Sequence, residues 1–144
     1  MNPETILLVE DNEDDAFFMK QALKDADIIN PLREVEDGQQ AVEYLSGTGE
    51  YADHTKFPLP TVVFLDLKLP MKTGHEVLQW IRAQPQFKKL IVIVLTSSSE
   101  PVDLNRSYQL GANSFVVKPR TPEELLNLAE AFKLWWLRQN RVTC

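Results

Sequence analysis

The chain has 144 residues, a formal net charge of -6 and ordinary globular proportions of hydrophobic (44%) and charged (25%) residues, which excludes a disordered or collagen-like chain. The length predicts a single domain, residues 1–144 with a core over about 4–140 and no output domain, because single cores commonly take about 100–200 residues. The acidic balance argues against nucleic acid as the main partner, since phosphate contacts need clustered Lys and Arg.

The first predicted strand is the apolar run over residues 6–9, which ends at Glu10 and Asp11. Apolar and polar residues then interleave at helical spacing over residues 14–26, which predicts an amphipathic helix. The acids at its start, Glu13, Asp14 and Asp15, are typical of a solvated first turn, where they suit the helix dipole.

A second strand is predicted over residues 32–35, and a second helix between Asp37-Gly38 and Ser46-Gly47. Residues 47–60 follow as a polar segment of 14 residues with two glycines and two prolines. Connections in compact domains usually take about 4–6 residues. This segment is therefore expected to be an insertion or a functional loop.

Three further strand and helix pairs complete the chain. The strands are predicted over residues 62–65, 90–95 and 115–117, and the helices over residues 75–84, about 101–110 and from Pro122 to about residue 140. The sequence Thr121-Pro122-Glu123-Glu124 is typical of a capping box that starts the last helix. Five strands that alternate with five helices predict an α/β fold, a flavodoxin-like doubly wound (βα)5 domain with a five-stranded parallel sheet in the order 2-1-3-4-5.

Polar or charged residues follow four of the five predicted strands, at the edge where ligands bind in such folds. They are Glu10 and Asp11, Asp66, Thr96 and Lys118. A strand spacing of about 4.8 Å places the three carboxylates within roughly 5–8 Å of one another, with Thr96 beside Asp66 and Lys118 within reach through its long side chain.

Three carboxylates this close repel one another, so one takes up a proton or a cation neutralises them. Oxygen ligands favour a hard ion, and Mg²⁺ is preferred because it uses one or two carboxylates and completes its shell with water and phosphate oxygens. The charges of the carboxylates, the metal and Lys118 then sum to zero. Such a site suits phosphoryl transfer, which needs mainly positioning and charge stabilisation.

At these residues the chain resembles the receiver domain of bacterial two-component response regulators. The resemblance covers nearly the whole chain, and its motifs occur in the family's order and spacing. They are Val9-Glu10-Asp11, Glu36-Asp37-Gly38, Leu65 to Pro70 with Gly74, Leu95-Thr96-Ser97 and Phe115 to Pro119.

The resemblance implies that Asp66 is the phosphoacceptor, which takes a phosphoryl group from a sensor histidine kinase. It also implies that Mg²⁺ is held by Glu10, Asp11, the Asp66 carboxylate and the backbone carbonyl of Lys68. An enzymatic activity is not expected beyond autocatalytic phosphotransfer and autodephosphorylation.

The resemblance further implies a conformational switch. Lys118 pairs with the phosphoryl oxygens, and the Lys118-Pro119 bond is cis. Thr96 hydrogen-bonds the phosphoryl group, and Phe115 turns inward behind the displaced Thr96. Phe115 stands where a Tyr is common in the family, so a partner contact through that hydroxyl is absent.

The last predicted helix carries an apolar stripe that is expected to face the core. Its members are Leu125, Leu128, Ala129, Phe132 and Trp135, and Trp136 and Leu137 widen it. Apolar surface beyond what the sheet covers indicates an interface, so we expect a homodimer through the helix-four to helix-five region. The alternative is packing against residues 47–60 or the tail.

The long loop before the third strand and the aromatic end of the last helix are similar to those of small stand-alone regulators paired with phytochrome-type light-sensing kinases. We therefore expect signalling through phosphorylation-dependent contact with a protein partner that the sequence does not identify. Two alternatives from other classes are a Mg²⁺-dependent haloacid-dehalogenase-type phosphatase, which needs an acid where Lys68 stands, and a pseudo-receiver that works without phosphorylation. An FMN binder is a third, but the acidic loop after the first strand would repel its phosphate.

No apolar run approaches the roughly 18 residues that a bilayer span requires. The only cysteine, Cys144, is the last residue, so no intrachain disulfide forms and the composition fits a reducing compartment. The first five residues contain no basic stretch of the signal-peptide type. The expectation is a soluble cytoplasmic protein with no membrane partner.

Overall fold

The computed structural model describes residues 4–139, and side chains as far as residue 136. These residues form two compact units, one of residues 4–12 and 30–117, the other of residues 13–29 and 118–139. Cys144, the expected helix end near residue 140 and the side chain of Leu137 lie outside the described part.

Five strands alternate with five helices along the chain. The strands are β1 (Thr5–Val9), β2 (Leu32–Val35), β3 (Pro60–Leu65), β4 (Ile91–Thr96) and β5 (Ser114–Val117). The helices are α1 (Glu13–Asp25), α2 (Gly38–Ser46), α3 (Gly74–Ala83), α4 (Pro101–Gln109) and α5 (Pro122–Gln139). Two short 3-10 helices, Gly49–Ala52 and Pro85–Phe87, lie in connections.

The strands form one parallel sheet in the order β2-β1-β3-β4-β5. Every residue of β1 is buried, and so is every residue of β3 except the partly buried Thr61. These strands are continuous apolar runs because both faces of a parallel sheet are covered. The predicted α/β, flavodoxin-like doubly wound fold is confirmed.

Side-chain caps fix where the helices begin. The Asp37 carboxylate accepts a hydrogen bond from the backbone N–H of Gln40 at 2.7 Å and starts α2. Thr73 and Glu76 form a capping box at α3, so this helix begins one residue before the predicted start. At α5 the Thr121 hydroxyl accepts a hydrogen bond from the Glu124 N–H at 3.1 Å, which is one of the two hydrogen bonds of the predicted capping box.

Residues 47–60 are anchored by aromatic side chains. The rings of Tyr51 and Phe57 lie 5.1 Å and 6.0 Å from that of Tyr44 on α2, between centroids. The Tyr44 hydroxyl donates a hydrogen bond to the Pro58 carbonyl at 2.7 Å. This segment, predicted to be an insertion or a functional loop, therefore extends the hydrophobic core beside α2.

Helices α1 and α5 belong to the second unit, where they pack against each other. On α5 the buried residues include Ala129, Phe132 and Trp136, whereas Trp135 is 42% exposed. The prediction that Trp135 lies on the core stripe is wrong. The buried residues Ala129, Phe132 and Trp136 follow the helical spacing i, i+3, i+7 and share one face of α5. Trp135 precedes Trp136 by one residue, so its side chain points about 100° away from that face. Among residues 4–139, no helix has the length and apolar character needed to cross a membrane.

Candidate metal and phosphoryl site

The carboxyl ends of β1 and β3 bring the acidic residues together. Val9 and Leu65, the last residues of these strands, are paired in register. The N–H of Asp66 donates a hydrogen bond to the Val9 carbonyl at 3.2 Å, and the N–H of Glu10 donates to the Val35 carbonyl at 3.1 Å. Both acids therefore begin their loops at the same level of the sheet.

One carboxylate oxygen each from Glu10, Asp11 and Asp66 lies within 4.8 Å of the other two. Glu10 and Asp66 are 7% and 6% exposed, while Asp11 faces solvent. Two shielded carboxylates and one accessible carboxylate form a cluster that a small ion can reach from one side.

The chemistry of these donors fits a divalent cation. Like charges this close, with two of them removed from solvent, disfavour one another in the absence of a counterion. A set made only of oxygen atoms suits a hard ion and offers no nitrogen or sulfur ligand that a softer metal prefers. The cluster therefore has both the charge and the donor type of a divalent cation site.

Backbone N–H groups orient the Asp66 carboxylate. Its Oδ1 accepts hydrogen bonds from the N–H of Leu67 at 2.7 Å and of Lys68 at 3.4 Å. The side chain of Lys68 is exposed. The Gly74 N–H in turn donates to the Leu67 carbonyl at 2.9 Å, so the first turn of α3 supports this loop.

Thr96 ends β4, the strand beside β3, and is fully buried. Leu65 pairs with Val94, so Thr96 lies one position beyond the level of Asp66 on the neighbouring strand. Its hydroxyl accepts a hydrogen bond from the Ser98 N–H at 3.3 Å. Sheet register thus brings Thr96 to the same edge as the carboxylates.

Phe115 is partly buried on β5 and pairs with Val94. Its backbone N–H donates a hydrogen bond to the hydroxyl of Tyr108, on α4, at 3.1 Å. Position 115 itself has no phenol group, but a tyrosine hydroxyl from α4 contacts its backbone. No sequence pattern indicates this role of Tyr108, which lies seven positions before Phe115 on a different element.

Lys118 forms an ion pair with Asp15 in the first turn of α1, with Nζ to Oδ2 at 2.8 Å. The interpretation of Asp15 as only a solvated helix-start acid is therefore wrong. The two residues are 103 positions apart, and no local pattern links them. The described residues contain no cis peptide bond, so the expected cis Lys118-Pro119 bond is also wrong, in line with the intrinsic preference of X-Pro bonds for trans.

His75 contacts α4 through Ser107. Its Nε2 lies 3.0 Å from the Ser107 hydroxyl, which itself donates to the Asp103 carbonyl at 2.8 Å. The serine proton is thereby used, so His75 Nε2 is the donor. Burial lowers the pKa of His75, and the charge of Asp103 opposes this shift.

Comparisons with known proteins agree with this geometry. A family model described as the response regulator receiver domain matches residues 6–130. Among curated proteins, the response regulator Rcp1 of Synechocystis sp. is 36% identical over 135 residues, which cover 94% of this chain and 90% of the relative.

Two solved structures are closely similar over nearly the whole chain. The phosphorylated cyanobacterial phytochrome response regulator RcpA aligns with a TM-score of 0.87 and 33% identity, over 97% of each chain. The Mn²⁺-bound form of Rcp1 aligns with a TM-score of 0.86 and 34% identity, over 99% of this chain and 100% of that one.

Proposed function

The chain belongs to the family of response regulator receiver domains, and we propose that it accepts a phosphoryl group on Asp66 from a sensor histidine kinase. The observation that carries the proposal is the meeting of Asp66 with Glu10 and Asp11 at the carboxyl ends of two adjacent strands. In the reaction, a carboxylate oxygen of Asp66 bonds to phosphorus as the phosphorus–nitrogen bond of the kinase phosphohistidine breaks. The protein then needs mainly to position the groups and stabilise their charge.

Glu10, Asp11, Asp66 and the backbone carbonyl of Lys68 would hold Mg²⁺, which when bound supplies charge neutralisation at the phosphoryl oxygens. The oxygen-only donor set supports a hard ion. A relative with a similar fold is known in a Mn²⁺-bound form. The Leu67 and Lys68 N–H groups keep the acceptor carboxylate oriented while it reacts.

The response to phosphorylation is proposed to pass through three further side chains. Thr96 hydrogen-bonds the phosphoryl group, Lys118 neutralises part of its charge, and Phe115 follows the displaced Thr96. No further catalysis is proposed beyond autocatalytic phosphotransfer and autodephosphorylation.

We place the protein in a light-sensing pathway with a phytochrome-type kinase, because the similar structure of RcpA is that of a cyanobacterial phytochrome response regulator. Residues 1–144 would act as a single receiver domain, in line with the 90% coverage of Rcp1. A cytoplasmic location is part of the proposal and is supported by the single cysteine in the sequence.

A homodimer through the α4 and α5 region is also proposed. On α4 the side chains of Val102, Leu104 and Tyr108 are exposed, and on α5 those of Leu134 and Trp135 are exposed. Exposed apolar side chains, as on each of these helices, favour association. Molecular mass by light scattering, measured over a range of concentrations with and without phosphorylation, tests it, and a monomer under every condition would reject the dimer.

Two other functions are less well supported. A haloacid-dehalogenase-type phosphatase requires a second acid two residues after its nucleophile, and that position is Lys68. A phosphorylation-independent pseudo-receiver requires no cluster of three carboxylates, yet the cluster is present.

The proposal is tested by incubating the protein with a small-molecule phosphodonor and Mg²⁺ and measuring its intact mass. Wild type should gain one phosphoryl group and Asp66→Asn none. Asp27→Asn is the matched control, because Asp27 is exposed and has φ 60°, a conformation that Asn adopts readily. Gain of the phosphoryl group by Asp66→Asn would overturn the assignment.

A further inference from the structure

Helix α4 buries few of its side chains. Within the described part of the chain, α4 buries one side chain, that of Ser107. Val102 and Tyr108 are 69% and 46% exposed. A helix that buries so little apolar surface gains little from hydrophobic burial, which is worth about 25 cal/mol per Å². Its position is therefore sensitive to individual hydrogen bonds.

One such hydrogen bond ties the start of α4 to the residues that follow β4. The Ser98 hydroxyl donates to Oδ2 of Asp103, in the first turn of α4, at 2.5 Å. The same hydroxyl accepts the Glu100 N–H at 3.3 Å. A short hydrogen bond to an ionised carboxylate is stronger than one between neutral groups.

Ser98 is in turn tied to Thr96. The Ser98 N–H donates to the Thr96 hydroxyl at 3.3 Å, which closes a tight turn of the Ser/Thr type. This hydrogen bond links the position of Ser98 to that of Thr96. A shift of Thr96 at the end of β4 pulls Ser98 against its bond to Asp103, unless α4 shifts as well.

We infer that Asp103 is a positioning residue for the phosphoryl switch: through Ser98 it holds Thr96 in the arrangement that the structure shows. The inference rests on the proposed function, in which Thr96 moves to the phosphoryl group on Asp66. A bond present in one state and strained in the other shifts the equilibrium toward the first. The hydrogen bond of Asp103 thus opposes the movement of Thr96 and lowers the apparent affinity of the site for a phosphoryl group.

The test measures the affinity of the protein for beryllofluoride, a phosphoryl mimic, in the presence of Mg²⁺. Ser98→Ala and Asp103→Ala should each tighten binding roughly fivefold to tenfold, the range expected for one charge-assisted hydrogen bond at a partly exposed site. The double variant should bind no more tightly than either single variant, because both changes remove the same bond.

Two variants serve as controls. Ser98→Thr keeps the hydroxyl and should return the affinity to about the wild-type value, which separates the hydrogen bond from general loosening of the loop. Glu100→Ala removes an acid from the same helix end, where the Glu100 side chain makes no capping hydrogen bond, and should leave the affinity unchanged. The thermal unfolding temperature of each variant is recorded in parallel.

Additive effects of the two changes, unchanged affinity in Ser98→Ala, or weaker binding in Ser98→Ala would overturn the inference. If Asp103→Ala does not fold, the comparison of beryllofluoride affinity between Ser98→Ala and Ser98→Thr still tests the inference. Failure of the proposed function gives a different result, since wild type itself would then bind no beryllofluoride with Mg²⁺.

Discussion

Gly74 lies against Asp66 so closely that a Cβ atom on the glycine would overlap the Asp66 backbone carbonyl. The same glycine begins α3 and donates its N–H to the Leu67 carbonyl at 2.9 Å. The loop that carries the proposed phosphoacceptor and the first turn of α3 are therefore packed backbone against backbone. A side chain at position 74 has no space.

Gly74→Ala should lower the free energy of unfolding by about 1–3 kcal/mol, the usual cost of overpacking a filled site. It should also displace the Asp66 loop and slow phosphorylation by a small-molecule donor. Urea denaturation measures the first effect, and Gln79→Ala, an exposed position on α3, should stay within about 0.5 kcal/mol of wild type. Wild-type stability in Gly74→Ala would show that the loop relaxes without cost.

Tyr44→Phe should destabilise the protein by about 1 kcal/mol, because it leaves the Pro58 carbonyl without the hydrogen bond of 2.7 Å from the phenol. Burial raises the pKa of Tyr44, so the hydroxyl stays protonated and able to donate. Limited proteolysis within residues 53–57 should be faster in the variant. An unchanged cleavage rate would mean that ring packing alone holds the segment.

His75 should make stability depend on pH. Burial lowers its folded-state pKa, while the unfolded chain keeps the ordinary value of about 6.5, so the unfolded state binds the proton first as the pH falls. The stability from neutral His75 is complete above about pH 6.5 and is lost as the pH falls through the folded-state pKa.

The measurement compares the free energy of unfolding of wild type and His75→Asn between about pH 7.5 and 5.5. Wild type should lose more stability than the variant as the pH falls, because only wild type carries the imidazole. Parallel curves for the two proteins would contradict the role of His75.

Asp11→Asn should have opposite effects without and with Mg²⁺. Removing one of three neighbouring carboxylates relieves repulsion, so the metal-free variant should unfold at a higher temperature than wild type. Saturating Mg²⁺ should raise the unfolding temperature of wild type through mass action, and the variant should need at least about tenfold more Mg²⁺ for the same shift. Asp27→Asn is the control and should respond to Mg²⁺ as wild type does. An equal Mg²⁺-dependent rise in unfolding temperature for Asp11→Asn and wild type would show that Asp11 does not bind the metal.

Much of the fold and of the acidic site followed from where apolar runs end. Unbroken runs ending at Glu10 and Asp66 predicted both the parallel sheet and the meeting of carboxylates, because strand direction places those ends at one edge. Such local patterns indicate which strands are buried and at which end each strand stops. The order of the strands in the sheet then determines which strand ends lie next to each other.

Contacts that depend on helix rotation or on distant pairing could not be predicted in this way. The choice of Trp136 over Trp135 for burial depends on a rotation of about 100° about the helix axis. The Lys118 ion pair joins residues 103 positions apart, and the bond from Ser98 to Asp103 depends on how a short loop meets α4. None of these leaves a periodic signal in the sequence.

The central claim is that Asp66 receives a phosphoryl group from a sensor histidine kinase. The most direct test incubates wild type and Asp66→Asn with purified, autophosphorylated candidate kinases and Mg²⁺, and follows transfer of labelled phosphoryl. The account predicts rapid transfer from the cognate kinase to wild type, label on the peptide that contains Asp66, and no label on Asp66→Asn. Persistent labelling of Asp66→Asn, or label on another peptide of wild type, would contradict it.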